Sequence, residues 1–259
     1  MAYSVQALKF GQCQVPRPEV YFMEGWGERE TLWFMGFLIR GGGRTVLVNT
    51  GPPRNLSEIN ARWVEAFGFP EAALARNDAE ELPERALARH GAAPADIDCV
   101  IVTPLQAYAT ANIPMFKNAQ ICISRRGWIE DWQAPTHHIH VPRPLRIPRE
   151  VNDYLQNEGW EKLRLLADED RVAPGITTFW AGVHHRSSLA ICVDTEKGRV
   201  VITDSFFKYP NVEEGKYLGI QESMLKANVT YERLRREGDV LVPIYDPEVF
   251  ERFPGGRIA

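Results

Sequence analysis

The stretch of sequence that decides the fold is Ile97–Asn112, which reads IDCVIVTPLQAYATAN. Its first part, Asp98–Val102 (DCVIV), is a short and uninterrupted apolar run, and such runs are typical of strands buried on both faces. The part that follows alternates polar residues, beginning at Gln106, with apolar ones. We therefore predict a buried strand that ends in a polar loop.

Further strands and helices are predicted on both sides of this stretch. The predicted strands are Tyr3–Gln12, Thr31–Arg40, Arg44–Asn49, Gln120–Ile123, Ile176–Trp180, Leu189–Val193, Arg199–Thr203 and Asp239–Ile244. The predicted helices are Glu58–Phe67, Pro83–His90, Ser124–Trp132, Arg149–Ala167 and Thr230–Glu237. This order predicts an α/β fold, a four-layer αββα sandwich in a single domain over residues 1–259. Two separate α+β halves are the alternative.

The composition is that of an ordinary globular protein. Of the 259 residues, 44% are hydrophobic and 25% charged, which excludes a disordered or fibrous chain. The net charge is -4 and no basic stripe stands out, so we expect no nucleic-acid partner. The longest apolar run is far shorter than the ~20 residues that span a bilayer, and the N-terminus lacks a signal-peptide pattern. We therefore expect a cytoplasmic protein with no membrane partner and four reduced, widely spaced cysteines.

Six segments, in this order, resemble the metallo-β-lactamase superfamily, and its lactonase-like branch in particular. They are Val46–Gly51 (VLVNTG), Ile97–Asn112, Phe116–Trp128 (FKNAQICISRRGW), Gly182–Ser188 (GVHHRSS), Arg199–Ser205 (RVVITDS) and Val242–Phe250 (VPIYDPEVF). The resemblance covers roughly residues 30–250. It implies the αββα fold and, for a typical member, two zinc ions in a hydrolytic site.

The metal-ligand positions of that superfamily are mostly altered in this chain. The first three histidines and the aspartate of the family loop correspond here to Pro104, Gln106, Tyr108 and Ala109, the last histidine to Tyr245, and the early aspartate to Asn49. Only His184 and Asp204 match the family residues. A catalytic zinc needs three protein ligands and an open position. We therefore expect the two-metal centre to be absent, and no cofactor.

His184 and Asp204 are the leading candidates for catalysis. Asp204 follows a strand, and a buried carboxylate needs a partner, which His184 or Arg186 could supply. A His–Asp pair is a usable general base, because the carboxylate orients the ring and raises its basicity. The alternative is a salt bridge that only holds two strands together. His185 is expected to face away from His184 if the backbone is extended.

Polar residues replace the metal ligands in the loop. Tyr108 and Gln106 could stabilise an oxyanion, and the alternative is that they, with Thr110 and Asn112, fill the vacated cavity by hydrogen bonding. Arg186 could hold a substrate carboxylate, and Tyr245 and His185 are expected to line the substrate pocket.

Three functions remain open at this stage. The first is a hydrolase-like enzyme that acts on a small ester, lactone or amide, some of them acidic, without a two-metal centre. The second is a non-catalytic ligand-binding protein. The third is a mononuclear metal enzyme that uses His184, Asp204 and the histidines of His137–His140. In each case the partner is a small molecule, and large apolar residues near the N-terminus make a homodimer possible.

Overall fold

Two β-sheets and the helices packed around them form the fold in a computed structural model, which describes residues 2–133 and 146–259. The first sheet has the order β1-β2-β3-β4-β5-β6. Its strands are β1 (Ser4–Pro16), β2 (Arg29–Gly41), β3 (Arg44–Val48), β4 (Cys99–Val102), β5 (Gln120–Ser124) and β6 (Leu163–Leu166). The strands from β1 to β3 pair antiparallel, and those from β3 to β6 pair parallel.

The second sheet has the order β11-β10-β9-β8-β7. Its strands are β7 (Glu169–Ala173), β8 (Ile176–Trp180), β9 (Leu189–Thr195), β10 (Gly198–Thr203) and β11 (Val240–Pro243). These strands pair antiparallel except for β10 and β11, which are parallel. The predicted α/β sandwich of two sheets with helices is therefore confirmed.

Short helices connect the strands. Within the described residues they are α1 (Arg17–Val20), α2 (Ser57–Phe67), α3 (Pro83–Ala88), α4 (Ala107–Thr110), α5 (Arg149–Gln156), α6 (Tyr209–Glu213), α7 (Met224–Glu237) and α8 (Glu248–Arg252). A π-helical segment covers Gly127–Gln133. In the part of the chain that is described, no helix is both long and apolar enough to cross a membrane.

The hairpin between β2 and β3 turns at Gly42 and Gly43. Their φ angles are 59° and 72°, in the left-handed region that glycine adopts without a steric penalty. The glycine turn predicted from the sequence therefore has its expected cause. This hairpin brings β3 against β4, and all four residues of β4 are buried, as the apolar run predicts.

The predicted helix over Arg149–Ala167 is wrong in its second half. Helix α5 ends at Gln156, and Leu163–Leu166 instead forms β6, the edge strand that pairs parallel with β5. A Cβ atom at Gly159 would lie 2.6 Å from the Tyr154 ring, so the chain turns tightly against this ring after α5. Four residues of leucine-rich sequence are too short for their periodicity to separate strand from helix.

Strand ends bring the candidate site together. Strand β4 ends at Val102, β10 at Thr203 and β11 at Pro243, so Thr103, Asp204 and Tyr245 follow three neighbouring strand ends. The carboxyl ends of strands are where open α/β sheets place their ligands. The polar loop after β4 reaches the same edge.

Candidate active site

The carboxylate of Asp204 is the centre of the site. It is fully buried and accepts three hydrogen bonds. The Thr103 hydroxyl donates to Oδ1, the Ser188 Oγ donates to Oδ2 over 2.5 Å, and His184 Nδ1 lies 3.2 Å from Oδ2. Of the two partners predicted for this carboxylate, the structure therefore brings His184 into contact with it.

His184 is oriented by this contact. Because Nδ1 faces a carboxylate, which can only accept, we place the ring proton on Nδ1, and the lone pair is then on Nε2. Nε2 has no hydrogen-bond partner among the residues described. The ring also packs edge-on against Phe207, with centroids 4.6 Å apart, and against Tyr245 at 6.1 Å. His184 thus has the arrangement of a general base held by a carboxylate.

Tyr245 lies beside His184, and Tyr108 lies beside Tyr245. The Tyr108 ring stacks on Phe34 with centroids 5.4 Å apart, and Tyr245 meets Tyr108 edge-on at 6.0 Å. Burial raises the pKa of Tyr108 well above its ordinary value. Burial also raises the pKa of Tyr245, and the neighbouring Tyr108 and Asp204 raise it further. Both phenols are therefore protonated at neutral pH and can donate hydrogen bonds.

The Tyr245 hydroxyl is an unsatisfied group. Its oxygen is buried and forms no well-aligned hydrogen bond in the described ranges, although the Tyr108 phenol lies close enough to shift the pKa of both groups. An unpaired buried hydroxyl costs about 1–3 kcal/mol, so such a group calls for an explanation. A ligand oxygen next to His184 would complete its hydrogen bonding.

The loop residues fall into two groups. Gln106 precedes α4 and is buried, and its side-chain amide has no hydrogen bond to another described residue, whereas its carbonyl accepts from the Thr110 hydroxyl. The Asn112 amide donates to the carbonyls of Thr50 and Pro52, each over 2.9 Å. Thr110 and Asn112 therefore serve the loop itself, as the cavity-filling alternative predicts.

Arg186 is paired away from Asp204. Its Nη1 lies 2.7 Å from Glu130 and its Nε 2.8 Å from Glu222. Two carboxylates therefore engage the guanidinium, which removes support for Arg186 as the anchor of an acidic substrate. The pairing instead joins the π-helical segment and the chain before α7 to the turn that carries His184.

His185 does not face away from His184. The two rings lie 4.0 Å apart, because the chain bends at residues 183–184 and then forms a turn over residues 185–188, closed by the Ser188 backbone N–H on the His185 carbonyl, rather than an extended strand. The expectation of opposite orientations is therefore wrong. The His185 backbone N–H also donates to Ser188 Oγ over 3.0 Å, which holds this hydroxyl against Asp204.

Sequence reasoning missed the groups that hold the site together. The hydroxyls of Thr103 and Ser188 bind Asp204 from positions 101 and 16 residues away in the chain. Gln221 was also missed: both polar atoms of its amide are buried and unpaired within the described chain. Its neighbour Glu222 donates its backbone N–H to the Val183 carbonyl, which places Gln221 beside the His184 turn. The sequence offered one indication of these groups: Ser188 closes the GVHHRSS segment that carries His184.

Asn49 fixes the loop that leaves β4. It adopts a left-handed φ of 59°, and its Oδ1 accepts from the Thr103 backbone N–H while its Nδ2 donates to the Thr103 carbonyl over 2.8 Å. An aspartate at this position would have no N–H to donate. In this chain the amide therefore holds Thr103, and through it Asp204.

We expect Asn49→Asp to destabilise the protein. The new carboxylate oxygen would face the Thr103 carbonyl in a buried site, and the loss should be about 2 kcal/mol. Thermal denaturation measures it. Asn118→Asp is the matched control, since Asn118 makes the same kind of bond to the Ala95 carbonyl on the surface. Equal shifts in Tm for the two variants would contradict the positioning role of Asn49.

The side chains of this site lack most of the ligand atoms that two zinc ions would need. Pro104 and Ala109 offer no side-chain ligand atoms, both tyrosines stay protonated, and the oxygens of Asp204 accept hydrogen bonds from protein groups. Among the described residues no group of three or more histidine, cysteine, aspartate or glutamate side chains could hold a metal ion. His137, His138 and His140 lie outside the described residues.

Comparison with known proteins gives the fold. No protein-family model and no curated protein matches the chain. Solved structures do. An N-acyl homoserine lactone hydrolase, with the product N-hexanoyl-L-homoserine at its catalytic metal centre, matches with a TM-score of 0.79 and 18% identity, over 98% of this chain and 99% of that chain.

Two further structures agree with this match. A variant of AiiA from B. thuringiensis, with N-decanoyl-L-homoserine at the active site, matches with a TM-score of 0.78 and 19% identity over 98% and 99% of the two chains. A candidate metallo-β-lactamase of Thermotoga maritima matches at 0.58 and 17% identity over 94% and 96%. The chain therefore has the metallo-β-lactamase fold, in the form found in lactonases, and the predicted resemblance is confirmed at the level of the fold.

Proposed function

We propose that this protein is a hydrolase of the metallo-β-lactamase fold that acts on a small ester, lactone or amide without a two-metal centre. The observation that carries the proposal is the contact of His184 Nδ1 with the buried Asp204 carboxylate, which leaves Nε2 without a partner in the described chain. This is the arrangement that a general base requires.

The donors of this site do not fit two zinc ions. A dinuclear centre needs ligands from the loop after β4, where this chain has proline and alanine at two of the four positions. Neutral phenols are poor ligands, and burial keeps both of them protonated, so they can donate hydrogen bonds. We therefore route no step through a metal ion and assign the role of the lost cations to the tyrosines.

The proposed reaction uses His184 twice. Nε2 takes a proton from a water molecule as the water oxygen attacks the substrate carbonyl carbon, and the carbonyl π electrons move to the oxygen. The phenols of Tyr245 and Tyr108 stabilise this oxyanion by hydrogen bonding. The tetrahedral intermediate then collapses: the bond to the leaving oxygen or nitrogen breaks, and Nε2–H protonates that atom. Asp204 holds the ring and stabilises the imidazolium.

The substrate class follows from the neighbours and from the site. Two of the similar structures hold N-acyl-homoserine products at their active sites, which supports a lactone or ester with an apolar part. The rings of Phe207 and Tyr245 pack against His184, and Tyr108 and Phe34 extend this aromatic cluster from Tyr245. Because Arg186 is paired with two glutamates, we leave an acidic anchor out of the proposal.

Tyr245→Phe should separate function from packing. Since the Tyr245 hydroxyl has only the Tyr108 phenol beside it and no well-aligned hydrogen bond in the described chain, its removal should leave the Tm nearly unchanged. Turnover should nevertheless fall about 100-fold if the hydroxyl stabilises the oxyanion. Tyr154→Phe is the control, because the Tyr154 hydroxyl is also buried and unpaired but belongs to α5. Equal turnover in the two variants would remove Tyr245 from the proposed reaction.

A non-catalytic ligand-binding protein is the second candidate. The observation in its favour is the burial of His184, which is 6% exposed and covered by aromatic rings. Thermal-shift screening with 4-nitrophenyl esters and N-acyl homoserine lactones, followed by product analysis, separates the two functions. Hydrolysis of a compound that binds supports the enzyme, and stable binding of an intact compound supports the sensor and contradicts our proposal.

A further inference from the structure

Cys99 and Cys122 form a close pair of thiols outside the candidate site. They lie on the neighbouring parallel strands β4 and β5, where Cys99 pairs with Gln120 and Cys122 with Ile101. The offset of two residues puts both side chains on the same face of the sheet, and the two sulfur atoms are 3.5 Å apart. Both side chains are buried.

The two thiols are not equivalent. Either thiol can donate across the 3.5 Å contact between the two sulfurs; with Cys99 as the donor, the hydrogen bond lowers the pKa of Cys122 and raises that of Cys99. Burial and the negative charge of Glu19 raise the pKa of Cys13 to about 12, and burial raises the pKa of Cys192. Since the thiolate is the reactive form, Cys122 is the preferred nucleophile among the four cysteines.

Cys122 lies close to the protein surface. Its sulfur is 3.7 Å from the Oε1 atom of Gln120, which is an exposed residue at the start of β5. Arg164, on the neighbouring strand β6, also lowers the pKa of Cys122 through its positive charge. Because Cys122 is fully buried, an oxidant reaches its sulfur only when the start of β5 opens locally.

We propose that Cys99 and Cys122 are a modification site, a dithiol that a peroxide converts to an internal disulfide. The Cys122 thiolate attacks a peroxide oxygen, the O–O bond breaks, and Cys122 sulfenic acid and one hydroxide are formed. The Cys99 sulfur then attacks the Cys122 sulfur and displaces its hydroxyl group as water. In total two thiols and one hydrogen peroxide give one disulfide and two waters.

The proposed disulfide would close the loop that carries part of the candidate active site. The two cysteines are 23 positions apart, and the loop that the disulfide closes contains Thr103, Gln106 and Tyr108. Closing a loop of this length restricts the unfolded chain, which stabilises the folded protein. The oxidised protein should therefore have a higher Tm, while the site at the opposite strand ends keeps its contacts.

Thiol counting on the folded, full-length protein tests the proposal. After treatment with hydrogen peroxide and unfolding, titratable thiols should fall from four to two in the wild-type chain, with a loss of 2 Da in the peptides that contain residues 99 and 122. The double variant Cys13→Ser/Cys192→Ser should lose both of its thiols. Dithiothreitol should restore them and return the Tm to its reduced value.

Two variants make the result decisive. Cys122→Ser should retain all three of its thiols under the same treatment, because the nucleophile is gone. Cys99→Ser should instead form a sulfenic acid at Cys122, detected with dimedone after unfolding. The proposal is overturned if the double variant keeps both thiols, or if Cys13 and Cys192 are oxidised as fast as the pair. Circular dichroism checks that each variant is folded.

Discussion

Replacing His184 by alanine should lower kcat/KM for a hydrolysed ester or lactone by about 10²–10⁴-fold, the usual contribution of a general base. The physical reason is that His184 carries the one basic nitrogen that contacts the Asp204 carboxylate among the described residues, since the other two contacts are weakly basic hydroxyls, so the attacking water loses its proton acceptor. Initial rates with 4-nitrophenyl esters and N-acyl homoserine lactones measure the effect. The loss should appear mainly in kcat, because the base acts in the transition state.

The control for this variant is His90→Ala. His90 lies outside the site, where its backbone carbonyl accepts from Arg40, and alanine preserves that bond. The Tm of both variants is measured, so that loss of the folded state is recognised. If His184→Ala hydrolyses its substrates at the wild-type rate while remaining folded, His184 is not the base and the proposed reaction fails.

Asp204→Ala should have the largest effect on stability. It removes the acceptor for two hydroxyl donors and for His184 Nδ1 in a fully buried site, and it also leaves a small cavity. Breaking such a buried network typically costs about 3–5 kcal/mol. Urea denaturation, followed by fluorescence of the seven tryptophans, measures the free energy of unfolding.

Asp204→Asn is the matched comparison. Asparagine keeps the shape and one acceptor oxygen but turns the other oxygen into a donor, so part of the stability should return. A free energy of unfolding for Asp204→Ala equal to or above that of the wild type would contradict the network. Such a result would mean that the buried Asp204 carboxylate destabilises the folded protein rather than stabilising it.

Short-range patterns in the sequence predicted the elements that build the site. The apolar runs before Thr103 and around Val201 predicted β4 and β10 correctly, and both strands end where the site lies. His184 and Asp204 were identified as site residues because the segments around them resemble those of the metallo-β-lactamase superfamily. The sequence did not decide which side chain contacts Asp204, because both His184 and Arg186 were candidates.

Contacts over long sequence distances could not be predicted. Arg186 pairs with Glu130, 56 positions earlier, from a π-helical segment that has no simple periodicity. Thr103 reaches Asp204 over 101 positions. The orientation of His185 was misjudged because a four-residue turn does not follow the alternation of a strand. Such details depend on packing between the two sheets, and the local sequence does not encode it.

The fold also explains how a hydrolytic site could change its chemistry. The strand ends deliver one histidine and one aspartate to the same edge, and two buried tyrosines lie where the resemblance to the lactonase-like branch implies metal ligands. A protonated phenol and a cation both stabilise negative charge on a carbonyl oxygen, although the cation does so more strongly. The proposed site therefore keeps the reaction class of its fold with weaker electrostatic groups.

The most direct test of the central claim combines metal analysis with activity. Protein purified without a metal-affinity tag is analysed by inductively coupled plasma mass spectrometry, and ester and lactone hydrolysis is measured before and after dialysis against a chelator. Our account predicts less than ~0.1 metal per chain, since a catalytic zinc needs three protein ligands, and hydrolysis that the chelator does not change. Close to one or two metals per chain, with hydrolysis lost on chelation and restored by zinc, would contradict it.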